Sequence, residues 1–504
     1  MHIQHRMYLS PKSWLPIFAL LLLAVPLFYL NIHNTHSAGG DDYALYINEA
    51  QNIATGKPWY LTNYLFNPYN NCYSPPHYPP GYPLLLAPVV KVWGIGIQPF
   101  CYFNSLVALC LLLTIYYYLR RHMSTVAAIC VAVLITYSGQ MIGLKQAVLS
   151  DTTCLLFVML YLTARQHPSN SWGRVALLAA CAAMAILIRT QSVLLLLAEG
   201  LMMVHALVLD TYTHKRLNLR LLAHHRSWRI IGLAVLIGLV LNKLIFPAPS
   251  TASGFYTAFL LSTLSKGLLT IVRDNVNFYL ESITSFFHYD TQNSIRTALV
   301  TLIKSAGLLL CFIGFGLTAV RKLTFEHVFF VLVSGMMLYY PIHDPRYFLP
   351  VIVIVYFFCY QALLRLLPAI TTVPLRFVGV GITVLCLYAG GRYLKSTMHT
   401  PSTYVPTAPD YKAFDYIRNH VNDSDIILCA RPRLLTLYTG KKCIIHAWQH
   451  PMPENKRVFD SMQVKYLLHM EGIIDEYYKT YLSQHQHPTD SVHIAPGYWL
   501  YTLR

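Results

Sequence analysis

Apolar runs close to the ~20 residues that span a bilayer recur along this chain, separated by short stretches rich in Lys and Arg. They fall at roughly 14–32, 98–119, 123–139, 150–164, 174–189, 191–209, 230–247, 297–319, 326–342, 347–366 and 374–392. This pattern predicts an α-helical polytopic membrane protein with about eleven transmembrane helices. The first run follows Arg6 and Lys12 and lacks a convincing small-residue cleavage site, so it reads as an uncleaved span. Arg120-Arg121-His122, Arg165, the run Lys215 to Arg229, Arg321-Lys322, and Arg365 with Arg376 each lie between two apolar segments. Placing all of them in the cytoplasm obeys the positive-inside rule and leaves the N-terminus inside and the C-terminus outside.

Three longer polar pieces then face outward: a first loop at 33–97, a second at about 248–296, and everything from about 393 onward. The tail changes character. Charge returns, an amphipathic helix is predicted over Asp410 to Val421, and short strands over 425–429, 443–446, 464–469 and 498–503. Residues 1–392 therefore read as a transmembrane domain and 393–504 as a small extracytoplasmic α/β domain, near the usual domain size.

Composition agrees with the spans. Of 504 residues 55% are hydrophobic and only 12% charged, with mean hydropathy +0.44. Soluble chains carry roughly twice that charge, so lipid must cover much of this surface. The net charge of +17 follows from cytoplasmic loops alone, and no nucleic-acid partner is expected. The 11 Cys lie mostly inside apolar runs with no Cys-x-x-Cys pair, which gives neither a zinc nor a redox framework.

The first loop carries the strongest candidate chemistry. It begins Gly39-Gly40-Asp41-Asp42-Tyr43-Ala44-Leu45-Tyr46 and continues as a helical pattern to Gly56. An Asp at such a start serves as a helix cap, and the positive end of the dipole suits it. Two adjacent acids at the mouth of a membrane bundle also suit proton transfer. The loop goes on through Tyr73-Ser74-Pro75-Pro76-His77-Tyr78-Pro79-Pro80-Gly81-Tyr82-Pro83 to Pro88. So many prolines predict extended backbone. Tyr46, Tyr78 and Tyr82 offer flat faces with hydroxyl tips for a sugar or for the membrane interface. His77 and His343 are cavity candidates, and lone interfacial histidines seldom bind metal.

The acidic pair, the Tyr four residues after its second member, the helix ended by Gly56 and the Tyr78-Pro79-Pro80-Gly81-Tyr82-Pro83 string resemble the first periplasmic loop of GT-C glycosyltransferases. The pattern is most similar to the protein O-mannosyltransferase (dolichyl-phosphate-mannose-protein mannosyltransferase) and lipid A aminoarabinose transferase group, and the layout of long first loop, many spans and external tail matches along the whole chain. The resemblance implies that the loop acid is the catalytic base. Spacing to Tyr46 favours Asp42, and leading the acidic pair favours Asp41. It implies a second acid near a later span start, where Ser150-Asp151 stands, although an N-cap reading of that pair is as good. It implies outward cations for a donor phosphate: Arg346, in a string Arg346-Tyr347-Phe348-Leu349-Pro350 like the family's Arg-Tyr-x-x-Pro motif, then Arg189, then Lys145. Where the aminoarabinose transferases have Lys-Pro-Pro, this chain has Tyr78-Pro79-Pro80, which argues against that particular activity.

The sequence thus predicts a membrane enzyme, placed in a bacterial inner membrane, that moves a sugar from a polyprenyl-phosphate donor to a lipid, glycan or protein acceptor. No cofactor is required by the sequence, and a divalent metal has no ligand set behind it. No Gly-rich phosphate loop is present to serve a nucleotide sugar. A transporter or flippase of a lipid-linked substrate is the alternative; paired repeats and matching broken spans, its usual signs, are not evident.

Overall fold

The computed structural model describes residues 14–29, 41–70, 75, 78–215, 225–247, 267–285, 294–340, 344–366, 408–447, 450–473, 475–484 and 490–503. The expected span at 374–392, together with His77 and His343, lies outside the described residues.

The molecule is mainly helical. In chain order the helices near one another in the bundle are α1 (Trp14–Ala24), α2 (Asp42–Ala54), α3 (Gly81–Trp93), α4 (Ile97–Leu119), α5 (Thr125–Thr136), α6 (Gly139–Gln146), α7 (Asp151–Arg165), α8 (Trp172–Ile188), α9 (Leu194–His214) and α10 (Arg226–Leu239). After these come α11 (Leu268–Ser285), α12 (Ser294–Ala319), α13 (Phe325–Tyr339) and α14 (Leu349–Leu366). Four helical segments among the described residues are long and apolar enough to cross a membrane, and a fifth if α5 and α6 count as one span bent by 52°. Five shorter apolar helices accompany them. Large exposed side chains such as Trp14, Phe18, Leu197, Val208 and Leu236 lie on the surface of these apolar helices, as lipid-facing residues do. The chain is an integral membrane protein.

Three local expectations are corrected. The run at 123–139 is not one straight helix: α5 ends at Thr136, and Ser138 starts α6 by accepting a hydrogen bond from the Met141 amide. The proline-rich string is not extended throughout, because α3 begins at Gly81. Pro83 sits in its first turn, where amides lack an intrahelical partner in any case. Asp41 does not cap α2. It stands at the N-cap with a left-handed φ of 68° and no side-chain cap bond, so its carboxylate is left for another partner.

The tail folds around a five-stranded sheet of order β2-β1-β3-β5-β4. Its strands are β1 (Ile426–Cys429), β2 (Lys442–Ile444), β3 (Val464–Met470), β4 (Asp490–Ala495) and β5 (Tyr498–Thr502). Four of the five coincide with the apolar segments singled out above, and β4 does not, since its residues are mostly exposed. β1 pairs in parallel with β2 and β3, while β3, β5 and β4 are antiparallel. Helices α15 (Ala408–His420), α16 (Pro432–Thr439), α17 (Met452–Ser461) and α18 (Asp475–Gln484) complete this module.

The module is welded to the first loop. At the β2 edge Tyr64 bridges Cys443 in parallel, with Leu65 N donating to Cys443 O at 2.8 Å and Cys443 N donating to Asn63 O at 3.0 Å. Asn67 and Asn70 donate to the Ile445 and His446 carbonyls, each at 2.7 Å. On α2, Asn48 donates to Thr436 Oγ1 of α16 at 3.3 Å. The first loop thus covers a sheet edge that would otherwise present unpaired backbone.

Candidate active site

One end of the helical bundle gathers charge. Helices α7 and α8 run antiparallel, so Asp151 at the start of α7 and Arg189 just past the end of α8 meet. Arg189 donates from Nη2 to Asp151 Oδ2 at 3.1 Å and from Nε to Ser150 Oγ at 3.1 Å, and its Nη1 lies 3.0 Å from Asp151 Oδ1. Ser150 spends its hydroxyl on Arg189 and on Tyr46, 3.1 Å away, rather than on capping α7. Val148, two residues earlier, holds a φ of 48°, a conformation that a β-branched residue rarely adopts and that marks strain beside the acid.

Arg346 enters from the turn before α14. Asp344 caps that turn by accepting from the Arg346 amide at 2.9 Å and also receives Arg346 Nε at 2.7 Å. Arg346 Nη1 reaches only to 3.8 Å from Asp151 Oδ2 and makes no hydrogen bond among the described residues. Asp151 therefore lies between two guanidinium groups. The span-start motif and the acid at α7, separate in the sequence, are one site.

The acidic pair joins from the other side, through partners that sequence reasoning missed. Arg431 embraces Asp41, with Nε donating to Oδ2 at 2.8 Å and Nη2 donating to Oδ1. Arg433, in the first turn of α16, donates from Nη1 to Asp42 Oδ1. Both pairs are buried. Burial disfavours the charge on Arg433, but Asp42 and the surrounding hydroxyls outweigh it and the net push is upward. Tyr46, one turn after Asp42 on α2, joins this half to the Asp151 cluster through the Ser150 hydroxyl, 3.1 Å away. Four carboxylates (Asp41, Asp42, Asp151, Asp344) face four guanidinium groups (Arg189, Arg346, Arg431, Arg433).

The tyrosines hold this cluster in place. Tyr46 packs its ring 4.8 Å from Tyr78 and edge-on to Tyr82 at 5.0 Å. Tyr78 contacts Asp42 through its hydroxyl, and Arg433 lies over its ring at 5.9 Å. Burial drives the Tyr46 and Tyr78 phenols far above their ordinary range, so both stay neutral hydrogen-bonding groups. Tyr82 donates to Asn104 at 3.0 Å, and Asn104 donates to the Lys145 carbonyl. Lys145 sits one layer behind, almost fully buried, with its ammonium donating to Leu27 O at 3.0 Å. That contact ties α6 to the 3-10 turn Val25–Phe28 that follows α1.

Gly81 controls how closely these parts approach. A Cβ there would lie 2.6 Å from the Leu187 carbonyl carbon, two residues before Arg189. Only glycine lets α3 abut the end of α8, where Tyr78 and Tyr82 pack on Tyr46 and Tyr46 shares the Ser150 hydroxyl with Arg189.

Glu49 was also missed. It lies two turns beyond Asp42 on α2, fully buried, and neither carboxyl oxygen is hydrogen-bonded among the described residues. Burial pushes its carboxyl well above the usual range, with Arg433 opposing. No group of three or more metal-ligating side chains occurs among the described residues.

No protein-family model and no curated protein sequence matches this chain. Solved structures do. The archaeal oligosaccharyltransferase AglB from Archaeoglobus fulgidus, in complex with an inhibitory peptide and a dolichol-phosphate, aligns with TM-score 0.59 at 13% identity, over 94% of this chain and 71% of that one. ArnT from Cupriavidus metallidurans bound to undecaprenyl phosphate aligns with TM-score 0.58 at 14% identity, over 98% of this chain and 99% of that one. The arabinofuranosyltransferase AftD from Mycobacteria aligns with TM-score 0.50 at 13% identity, over 91% of this chain and 35% of that one. The structural neighbours are GT-C glycosyltransferases, and this chain has their fold.

Proposed function

We propose that the chain is a glycosyltransferase that moves a sugar from a polyprenyl-phosphate donor to a lipid, glycan or protein acceptor at the external face of a bacterial inner membrane. The observation that carries the reading is the single buried cluster in which Asp42 and Asp151 stand among Arg189, Arg346 and Arg433. Acids and phosphate-gripping cations in one place are what such a transfer needs. Two fold neighbours that hold a polyprenyl or dolichol phosphate support it further.

Asp42 is the base in this reading. Both Asp41 oxygens are engaged by Arg431, which makes Asp41 an anchor for α2. The acceptor hydroxyl or amide oxygen or nitrogen attacks C1 of the sugar, the C1–O bond to phosphate breaks, and the acceptor proton passes to the Asp42 carboxylate. Arg346 Nη1 is the donor best disposed toward the phosphate, with Arg189 and Asp151 holding it in line. Tyr46, Tyr78 and Tyr82 line the sugar side.

The test is transfer by the purified, reconstituted full-length protein from labelled polyprenyl-phosphate sugars. Asp42→Asn is expected to cut the rate by about 100-fold or more, in the range of a lost general base. Transport of intact lipid-linked sugar across the vesicle, with no transfer by the wild type, would establish the flippase reading instead.

A further inference from the structure

Arg433 poses a problem for a base at Asp42, because it occupies Oδ1 of that carboxylate before any acceptor arrives. Its surroundings suggest the resolution. Tyr46, one turn after Asp42, packs 4.8 Å from Tyr78 and shares the Ser150 hydroxyl with Arg189, so it joins the Asp42–Arg433 pair to the Asp151 cluster. Arg433 comes from the C-terminal module and reaches the cluster across the face of Tyr78. Arg433 thus stands on the far side of the Tyr46–Tyr78 pair from the arginines that would receive a phosphate.

We propose that Arg433 is an exchangeable partner of Asp42: it holds the carboxylate until the donor's phosphate engages, then passes to the phosphate as the reaction proceeds. The inference rests on the function proposed above. Charge balance favours it. The donor phosphodiester carries one negative charge and Asp42 another. When C1–O(phosphate) breaks and C1–O(acceptor) forms, the acceptor's proton neutralises Asp42 while the leaving phosphate gains a second charge. Asp42 loses its hold on Arg433 at the moment the phosphate gains one. Such a guanidinium binds the transition state more tightly than the ground state, which is what lowers a barrier. A guanidinium, unlike an ammonium, can keep one N–H on each partner during the exchange.

A double-mutant cycle read by binding tests this without turnover. Affinity for undecaprenyl phosphate is measured for the full-length wild type and for Asp42→Asn, Arg433→Gln and the double variant. Asp42→Asn mimics the neutral carboxyl and releases Arg433, so affinity is expected to rise on the order of tenfold, about 1.4 kcal/mol. In the Arg433→Gln background the same change is expected to gain nothing. An equal gain in both backgrounds means simple repulsion between Asp42 and phosphate and overturns the exchange, as does no gain at all. Should Arg433→Gln fail to fold, Arg433→Lys takes its place: the charge stays, the fork is lost, and the gain is expected to shrink. A wild type that binds no polyprenyl phosphate removes the proposed function itself, and the exchange with it.

Discussion

Two carboxyl groups on the same face of α2 have opposite fates. Asp42 is matched to Arg433, whereas Glu49 is buried with no hydrogen bond among the described residues. A carboxyl whose folded pKa is raised is destabilising once pH exceeds its unfolded value near 4.5, and the penalty grows until the folded pKa is passed. Glu49→Gln removes that penalty in nearly the same shape. Thermal unfolding at pH 8 should show a gain on the order of 1 kcal/mol, shrinking as pH is lowered toward 4. A gain that does not vary with pH would mean the carboxyl stays ionised. For Asp151 the expectation differs. Asp151→Asn leaves Arg189 without its carboxylate partner while Arg346 keeps Asp344, and leaving a buried charge unpaired costs about 3 kcal/mol or more. On the proposed function transfer should fall, because Arg189 loses the carboxylate that holds it in place.

At the scale of elements, one close approach and one edge pairing align the site. Gly81→Ala would force its Cβ against the Leu187 backbone, and backbone cannot yield as a side-chain tip can. The start of α3 must then move away from α8, loosening the packing of Tyr78 and Tyr82 on Tyr46. The expected outcome is lost donor binding with the fold's helix content retained, measurable by circular dichroism beside a binding assay. The edge pairing is tested by Leu65→Pro, which deletes the amide that donates to Cys443 O. That change should expose the β2 edge and raise protease cleavage around residues 60–70, while Leu65→Ala should not.

On the scale of the whole molecule, the C-terminal module is built into the bundle's charged end, because it supplies Arg431 and Arg433 and takes the first loop as an added edge. Its stability should therefore appear in activity. His446 is buried in it, stacked 4.0 Å from Tyr477, and burial lowers its pKa from the ordinary value near 6.5 to about 4. A depressed histidine pKa means that the unfolded chain takes up a proton which the folded one refuses. Stability is full above pH 6.5 and declines as pH falls toward 4, at up to about 1.4 kcal/mol per pH unit. His446→Asn should flatten unfolding free energy over that window, and an unchanged slope would assign the acid sensitivity to other groups.

The sequence by itself determined whatever is local. Apolar periodicity disclosed most of the helices, four of the five strands and the apolar class of the whole, because burial against lipid or a sheet is written in neighbouring residues. Asp151, Arg189 and Arg346 are conspicuous in the sequence because each stands at the end of an apolar run, and Asp42 because it belongs to an acidic pair before a loop helix. Only the tertiary structure decided what those charges do. Nothing about Asp41 foretold its left-handed backbone, and Arg431 and Arg433, some 390 residues away along the chain, fall between two predicted strands in a stretch assigned to no element. Proline-rich sequence hid the helix α3 because its first turn has no amide bonds to lose. A partner brought in by folding leaves no periodicity behind, and so the guanidinium that governs the proposed base became visible only when the C-terminal module was seen seated on α2.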